Sequence, residues 1–254
     1  MMKEFILDVH CHTIASGHAY STVHDIAREA AKKGIKLFAL TDHGPEMPGA
    51  PHLYHIKNQR VIPRIIDGVI VLRGVEANIM DYDGELDMRD SDLKELDIVI
   101  ASLHHICIDP GTRDENTNAI IKAMENRNVD IVGHIGNPMF PIDEEKVVKA
   151  AKKNNVLIEI NNSSFGPSRK GSKENCSLIA SLARDNGNMV VLGSDCHIAF
   201  DVGNFEYAGK LLHDIGMQKE QIINTSVDRL IDFLESKGKT TIEDIKELRK
   251  KSFI

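Results

Sequence analysis

The sequence has no long run of Lys and Arg, only short groups such as Lys32 with Lys33, and its formal net charge is −7 with the histidines neutral. An extended nucleic-acid partner therefore has no electrostatic footprint, although bound divalent ions could reverse the sign locally for a small anionic substrate. No apolar stretch approaches the ~20 residues that cross a bilayer, and the N-terminus lacks the basic, apolar and small-residue pattern of a secretory signal. The four cysteines, Cys11, Cys107, Cys176 and Cys196, form no CxxC pair. These absences describe a reduced, cytoplasmic protein with no membrane partner. Apolar content of 42% and charged content of 27% are ordinary for a soluble enzyme and exclude a disordered chain. A unit of this length buries roughly 70 to 75% of its unfolded surface. With no internal repeat and no linker, residues 1–254 read as a single domain.

Histidine is what the chain does have, twelve in all, and the densest group is DVHCHT at positions 8–13. The preceding residues are apolar and β-prone, so alternation along a buried strand would direct His10 and His12 to one side and Cys11 to the other. Two neutral imidazoles leaving one strand end can share a metal ion. On its own, HxH is a weak signal.

The rest of the chain repeats the arrangement. A helix capped by Ser21 or Thr22 and ending near Gly34 is followed by the strand KLFALTDHG, closing on His43. His18 falls in the loop between the first strand and that helix. Residues 45–55 hold three prolines and must be loop, with a helix expected over 56–66. Next come GVIVLRGVEAN ending at Glu76, DIVIASLHH at His104 and His105, DIVGHIGNP at His134, VLIEINNSS at Asn161 and Asn162, and NMVVLGSDCH at Asp195 and His197. Helices are expected near 115–127, 143–154, 173–186 and 203–215. Two more, from Ser226 onward, carry Lys and Glu on solvated faces and serve packing.

Seven strands alternating with helices are the pattern of a parallel sheet, and closing it gives a (β/α)7 TIM-like barrel with its site at the carboxyl ends of the strands. The polar residues collect at those ends. Only His24, His52, His55 and His213 lie clearly elsewhere, and this convergence is what points to a metal centre.

The ordered set HxH, a loop histidine, TDHG, GVEAN, SLHH, GHIGNP and GSDCH resembles the polymerase and histidinol phosphatase (PHP) family of metal-dependent phosphoesterases. EINNSSF and SRKGSKENC extend the likeness to its YcdX-type bacterial phosphatases. The resemblance implies a distorted seven-stranded barrel spanning about residues 1–215, C-terminal helices over about 216–254, and three divalent metal ions. It places His10, His12, Glu76 and Asp195 on the first ion, Glu76, His104 and His134 on the second, and His18, His43 and His197 on the third. Zinc suits seven imidazoles and two carboxylates, and manganese or iron would accept them.

Two such ions ~3.5 to 4 Å apart can share a hydroxide that attacks phosphorus in line. Three divalent ions against two carboxylates leave about +4, which favours a phosphomonoester over a neutral ester. The function implied is a phosphatase for small phosphomonoesters. Histidinol phosphatase and a phosphodiesterase or exonuclease are the enzymatic alternatives, and a non-catalytic metal-binding module is a third.

Around the ligands, Asp8 and Asp42 are either acceptors that orient imidazoles or strand-end and turn hydrogen-bonding groups. Asn161 and Asn162 either bind substrate or brace their loop, and His105 takes either a structural or loop role or a part in catalysis. Arg169, in SSFGPSRKGS, either grips a phosphate in two-point fashion or belongs, with Lys170, to a solvated charge pair. No residue announces itself as the general acid.

Overall fold

A computed structural model describes residues 4–250, so the last four residues of the expected C-terminal helical part lie outside it. Eight strands form: β1 (Leu7–Cys11), β2 (Leu37–Leu40), β3 (Ile65–Ile66), β4 (Val69–Asn78), β5 (Ile98–Ser102), β6 (Ile131–Val132), β7 (Leu157–Asn161) and β8 (Val190–Gly193). Seven of them pair in parallel in the order β1-β2-β4-β5-β6-β7-β8. Just past β8 the chain returns to β1, where Asp195 N donates to His10 O at 2.9 Å and His12 N to Cys196 O at 3.0 Å. The result is the nearly closed seven-stranded α/β barrel that the strand count predicts.

The helices are α1 (Val23–Lys33), α2 (Leu53–Lys57), α3 (Asp90–Leu93), α4 (Arg113–Glu125), α5 (Glu144–Lys153), α6 (Ser172–Asn186), α7 (Glu206–Asp214), α8 (Val227–Ser236) and α9 (Glu243–Lys250). Thr22, rather than Ser21, caps α1 in a capping box with Asp25, and Gly34 at φ 79° ends it. The helix expected over 56–66 is not formed as such. α2 begins earlier, stops at Lys57, and passes through one 3-10 turn (Asn58–Val61) into β3, which pairs antiparallel with β4. Pro63 blocks helix continuation, and Asp67 and Gly68, both at positive φ, make a tight hairpin turn.

Two apolar layers result. One fills the space between strands and outer helices. The other fills the barrel itself with Leu7, Val9, Leu37, Leu72, Ile100, Leu157 and Val191, and continues into Ile223, Leu230, Ile231, Leu234 and Ile245. The amphipathic α8 and α9 therefore close the amino-terminal end of the barrel and leave the carboxyl ends of the strands as its open mouth.

The β1–β8 seam is completed by a side chain. Asn224, fully buried, accepts from Leu192 N at 2.7 Å and donates to Leu7 O at 2.9 Å and Leu192 O at 2.8 Å, while its own carbonyl accepts from Ile6 N. Its amide stands in for a missing ladder peptide. Replacing Asn224 with Ala leaves buried backbone groups without partners at roughly 1 to 3 kcal/mol each. We expect Asn224→Ala to lower the thermal midpoint by about 10 °C; an unchanged melting curve would refute this role for the seam.

Candidate metal centre

Alternation alone would put Leu7 and Val9 inside the barrel and His10 outside it. The β1–β2 register shifts between Asp8 and Cys11, and this irregularity lets His10 and His12 follow Val9 to the interior side. Along β4, the interior positions Ile70, Leu72 and Gly74 lead to Glu76, and β5 leads through Ser102 to His104. His134 and Asp195 adopt φ 33° and 55°, left-handed values that cost a non-glycine residue roughly 1 to 3 kcal/mol. Both strained residues belong to the candidate set.

Glu76, 1% exposed, is the hub. Its Oε2 lies 2.8 Å from His43 Nδ1, 3.3 Å from His10 Nε2 and 3.4 Å from His12 Nε2. Its Oε1 lies 2.9 Å from His134 Nε2 and 3.3 Å from His104 Nε2. Asp195 Oδ1 stands 3.3 Å from His12 Nε2 and 3.6 Å from His197 Nδ1. His18 closes the rim, its Nε2 3.0 Å from His197 Nε2 and its ring centroid 5.0 Å from that of His43. All nine side chains singled out in the sequence thus meet in one place. Donor triples His10–His12–Glu76, His43–Glu76–His104 and His12–His43–His197 each fall within 4.8 Å, so His12 and His43 each serve two triples.

The donors are set in advance. His10 Nδ1 is tied to Glu159 Oε1 at 2.6 Å, His12 Nδ1 to Ser16 Oγ at 3.0 Å, His104 Nδ1 to Asn78 Oδ1 at 2.8 Å and His197 Nδ1 to the Asp195 carbonyl at 3.0 Å. Each Nδ1–H donates outward, so each Nε2 presents a lone pair to the middle. Two such nitrogens, on His10 and His12, sit 3.1 Å apart and would repel without a proton or cation between them. His43 Nδ1, Glu76 Oε2 and His104 Nε2 are buried and form no hydrogen bond of acceptable geometry, although His43 Nδ1 and Glu76 Oε2 stand only 2.8 Å apart. Metal–ligand bonds of about 2.0 to 2.2 Å place tetrahedral donors about 3.3 Å from one another, close to the separations seen here. The residues fit divalent cations.

Electrostatics agree with that fit. Burial, then the neighbouring imidazoles, push His12 well below the usual histidine range and lower His18, and burial takes His104 down to about 4, which keeps these rings in the neutral, ligating form. Burial opposes ionisation of Glu76, yet His10, His104 and His43 hold its carboxyl well below the ordinary range. Asp195 is likewise held low, with Arg169 and His10 outweighing burial. His10 is held well above its ordinary value because Glu159, Glu76 and Asp195 outweigh its burial.

The alternatives left open by the sequence divide as follows. Asp42 accepts from Ser16 Oγ at 2.7 Å and so orients His12 at one remove, whereas Asp8 accepts from the Ser194 and Gly203 backbones and touches no imidazole ring in this way. Asn161 donates to Asp195 Oδ2 at 3.2 Å and belongs to the centre, while Asn162 caps α7 by accepting from Tyr207 N and Ala208 N. His105 is exposed. Arg169 Nη1 reaches Asp195 Oδ2 at 2.9 Å and is no free surface charge.

Glu159 is the residue that sequence reading passed over, inside the strand VLIEINN taken to end only in amides. It is 2% exposed, accepts from His134 N at 2.8 Å as well as contacting His10, and faces Gly193, where any Cβ would lie 2.0 Å from its Oε1. The available signal was an acid at an interior position of an apolar strand, two residues before Asn161.

The chain belongs to the PHP family: the PHP domain model matches residues 8–163. It is 54% identical over 240 residues to a probable phosphatase of Caldanaerobacter subterraneus subsp. tengcongensis, covering 94% of each chain. It is 53% identical over 234 residues to a probable phosphatase of Acetivibrio thermocellus, covering 92% of this chain and 97% of that one. Among solved structures, the histidinol phosphate phosphatase of Lactococcus lactis subsp. lactis, crystallised with zinc, L-histidinol and phosphate, shares the fold. Its TM-score is 0.59 at 17% identity, over 85% of this chain and 95% of that one. The chain is thus a PHP-family protein whose relatives are named probable phosphatases.

Glu159→Gln keeps the size of the side chain and removes the charge that holds His10. We expect metal retention against a chelator to fall about 10- to 100-fold with the fold intact by circular dichroism; retention equal to wild type would show that Glu159 does not set the His10 donor.

Proposed function

We propose that the protein hydrolyses small phosphomonoesters at a centre of three divalent ions, zinc by first choice, held by His10, His12, His18, His43, Glu76, His104, His134, Asp195 and His197. The observation that carries this reading is the crowding of His43 Nδ1 and of the Nε2 atoms of His10, His12, His104 and His134 within 2.8 to 3.4 Å of one buried carboxylate, Glu76, inside a ring of oriented imidazoles. Divalent cations there would supply Lewis-acid activation of water and neutralise phosphate charge.

The chain's own residues do the rest. Glu76 and Asp195 stay ionised, and Glu159, Ser16, Asn78 and the Asp195 carbonyl hold four imidazoles in one tautomer. Arg169 pairs with Asp195 through Nη1, and no described residue bonds its Nε or Nη2, which leaves two donors for a phosphate oxygen. Asn161, accepting weakly from Arg169 Nη1 at 3.4 Å, keeps the guanidinium aligned with Asp195. The chain acts as one unit, with α8 and α9 closing the barrel, in a reducing cytoplasm where its four thiols stay free. No helix among the described residues is long and apolar enough to cross a membrane.

The test is hydrolysis of p-nitrophenyl phosphate against its bis ester, followed by a panel of cellular phosphomonoesters that includes histidinol phosphate. Wild type is expected to prefer the monoester and Asp195→Ala to lose activity. Preference for the diester, or equal turnover by the mutant, refutes the reading. Elemental analysis should return three ions per chain, and one or none would remove the trinuclear centre. Arg169→Ala is expected to raise KM about tenfold at unchanged metal content, and an unaltered KM rules out the phosphate contact.

A further inference from the structure

Nine buried side-chain polar atoms lack a hydrogen-bond partner among the described residues, and they are not scattered. Three belong to the metal centre. Three others, Gln59 Oε1, Arg73 Nε and Thr241 Oγ1, belong to side chains that line a single cleft of about 940 Å³ on the flank of the barrel. None of the nine residues of the metal centre lines this cleft.

Its geometry follows from β4. Interior residues alternate with outward ones, so Arg73 faces away from the barrel, between the turn that carries Gln59 and the residues leading into α9. Arg73 Nη2 donates to Ile62 O at 2.6 Å, and Gln59, 2% exposed, donates through Nε2 to Gly74 O at 2.9 Å. These bonds hold both side chains at the wall while one polar atom of each is left over. Buried atoms in that state cost roughly 1 to 3 kcal/mol apiece, and native proteins keep few of them without a reason.

The charge of the cleft is uneven as well. Lys57 is paired with Asp92, and Arg64 with Asp97 and Asp244. Arg60, Arg73 and Lys94 make no ion pair among the described residues, against one acid on the wall, Glu95, in the same condition. Arg73 Nε–H needs an acceptor, Gln59 Oε1 needs a donor, and Thr241 Oγ can be either. Tyr54, 75% exposed, adds an aromatic face to the lining. The three leftover atoms are nearly closed to water, so a ligand reaches Gln59 Oε1 and Arg73 Nε only as these side chains turn outward and exchange their bonds to Gly74 O and Ile62 O for bonds to the ligand.

We propose that this cleft is a second ligand site, for a phosphorylated small molecule that carries its own hydroxyl or amino donors, of the sugar-phosphate or nucleotide class. The anionic group meets Arg73, Arg60 and Lys94, and a hydroxyl or amino group of the same molecule donates to Gln59. A volume of this size lies within the range of small-molecule sites.

The test is calorimetric titration of the metal-loaded protein with the non-hydrolysable methylenephosphonate analogue of AMP and, separately, with inorganic phosphate. The expected result is two binding events for the analogue, one at the metal centre that Asp195→Ala removes and a second that Asp195→Ala retains, Arg73→Met abolishes and Lys94→Glu weakens about tenfold. Lys94 is exposed and unpaired, so its variant keeps the test valid should Arg73→Met fail to fold. If no event survives in Asp195→Ala, or if the surviving event is unchanged in Lys94→Glu, the site is overturned. Inorganic phosphate binding there as tightly as the analogue overturns the ligand class.

Discussion

A carboxylate buried among imidazoles is the constraint on which the structure turns. Glu76 sits almost wholly out of water, where an isolated charge costs several kcal/mol, and no Lys or Arg side chain forms an ion pair with it among the described residues. Five histidines from four different strand ends and their loops surround it instead. Imidazole is suited to this because it can be neutral toward a metal ion or charged toward a carboxylate without changing shape. The same donor set is therefore stable when it holds a proton and ready when it holds a cation.

The barrel supplies the positions, and local irregularities supply the aim. A register shift in β1 turns His10 inward, positive φ at His134 and Asp195 bends two loops back over the mouth, and Gly193 leaves space for Glu159 to lie against His10. None of these is favourable on its own. They persist because the interior packing below and the hydrogen bonds of Asp42, Ser16 and Asn161 over-determine the site.

Much of this is legible in the chain. Strand, helix and polar strand end recur often enough to specify a parallel barrel and its mouth, and the nine candidate donors coincide with what the fold gathers. What escaped is what depends on pairing across the barrel. Glu159 looks like an ordinary strand residue until β1 and β8 are placed beside it, and the hairpin at Ile65–Ile66 is masked by an apolar stretch that also suits a helix. Asn161 and Asn162 are neighbours in sequence with separate tasks, one in the centre and one on α7, and only three-dimensional placement separates them.

The seam closed by Asn224 has a bearing on how the protein is made. Every candidate ligand, from His10 to His197, is translated before the segment that seals β1 against β8 and plugs the barrel floor. The two strands that carry His10, His12, Asp195 and His197 are therefore joined beneath the site by a residue that comes after all of them in the chain. A chain cut before Asn224 would keep every candidate donor and still lose both the clasp between its first and last strands and the floor on which they stand.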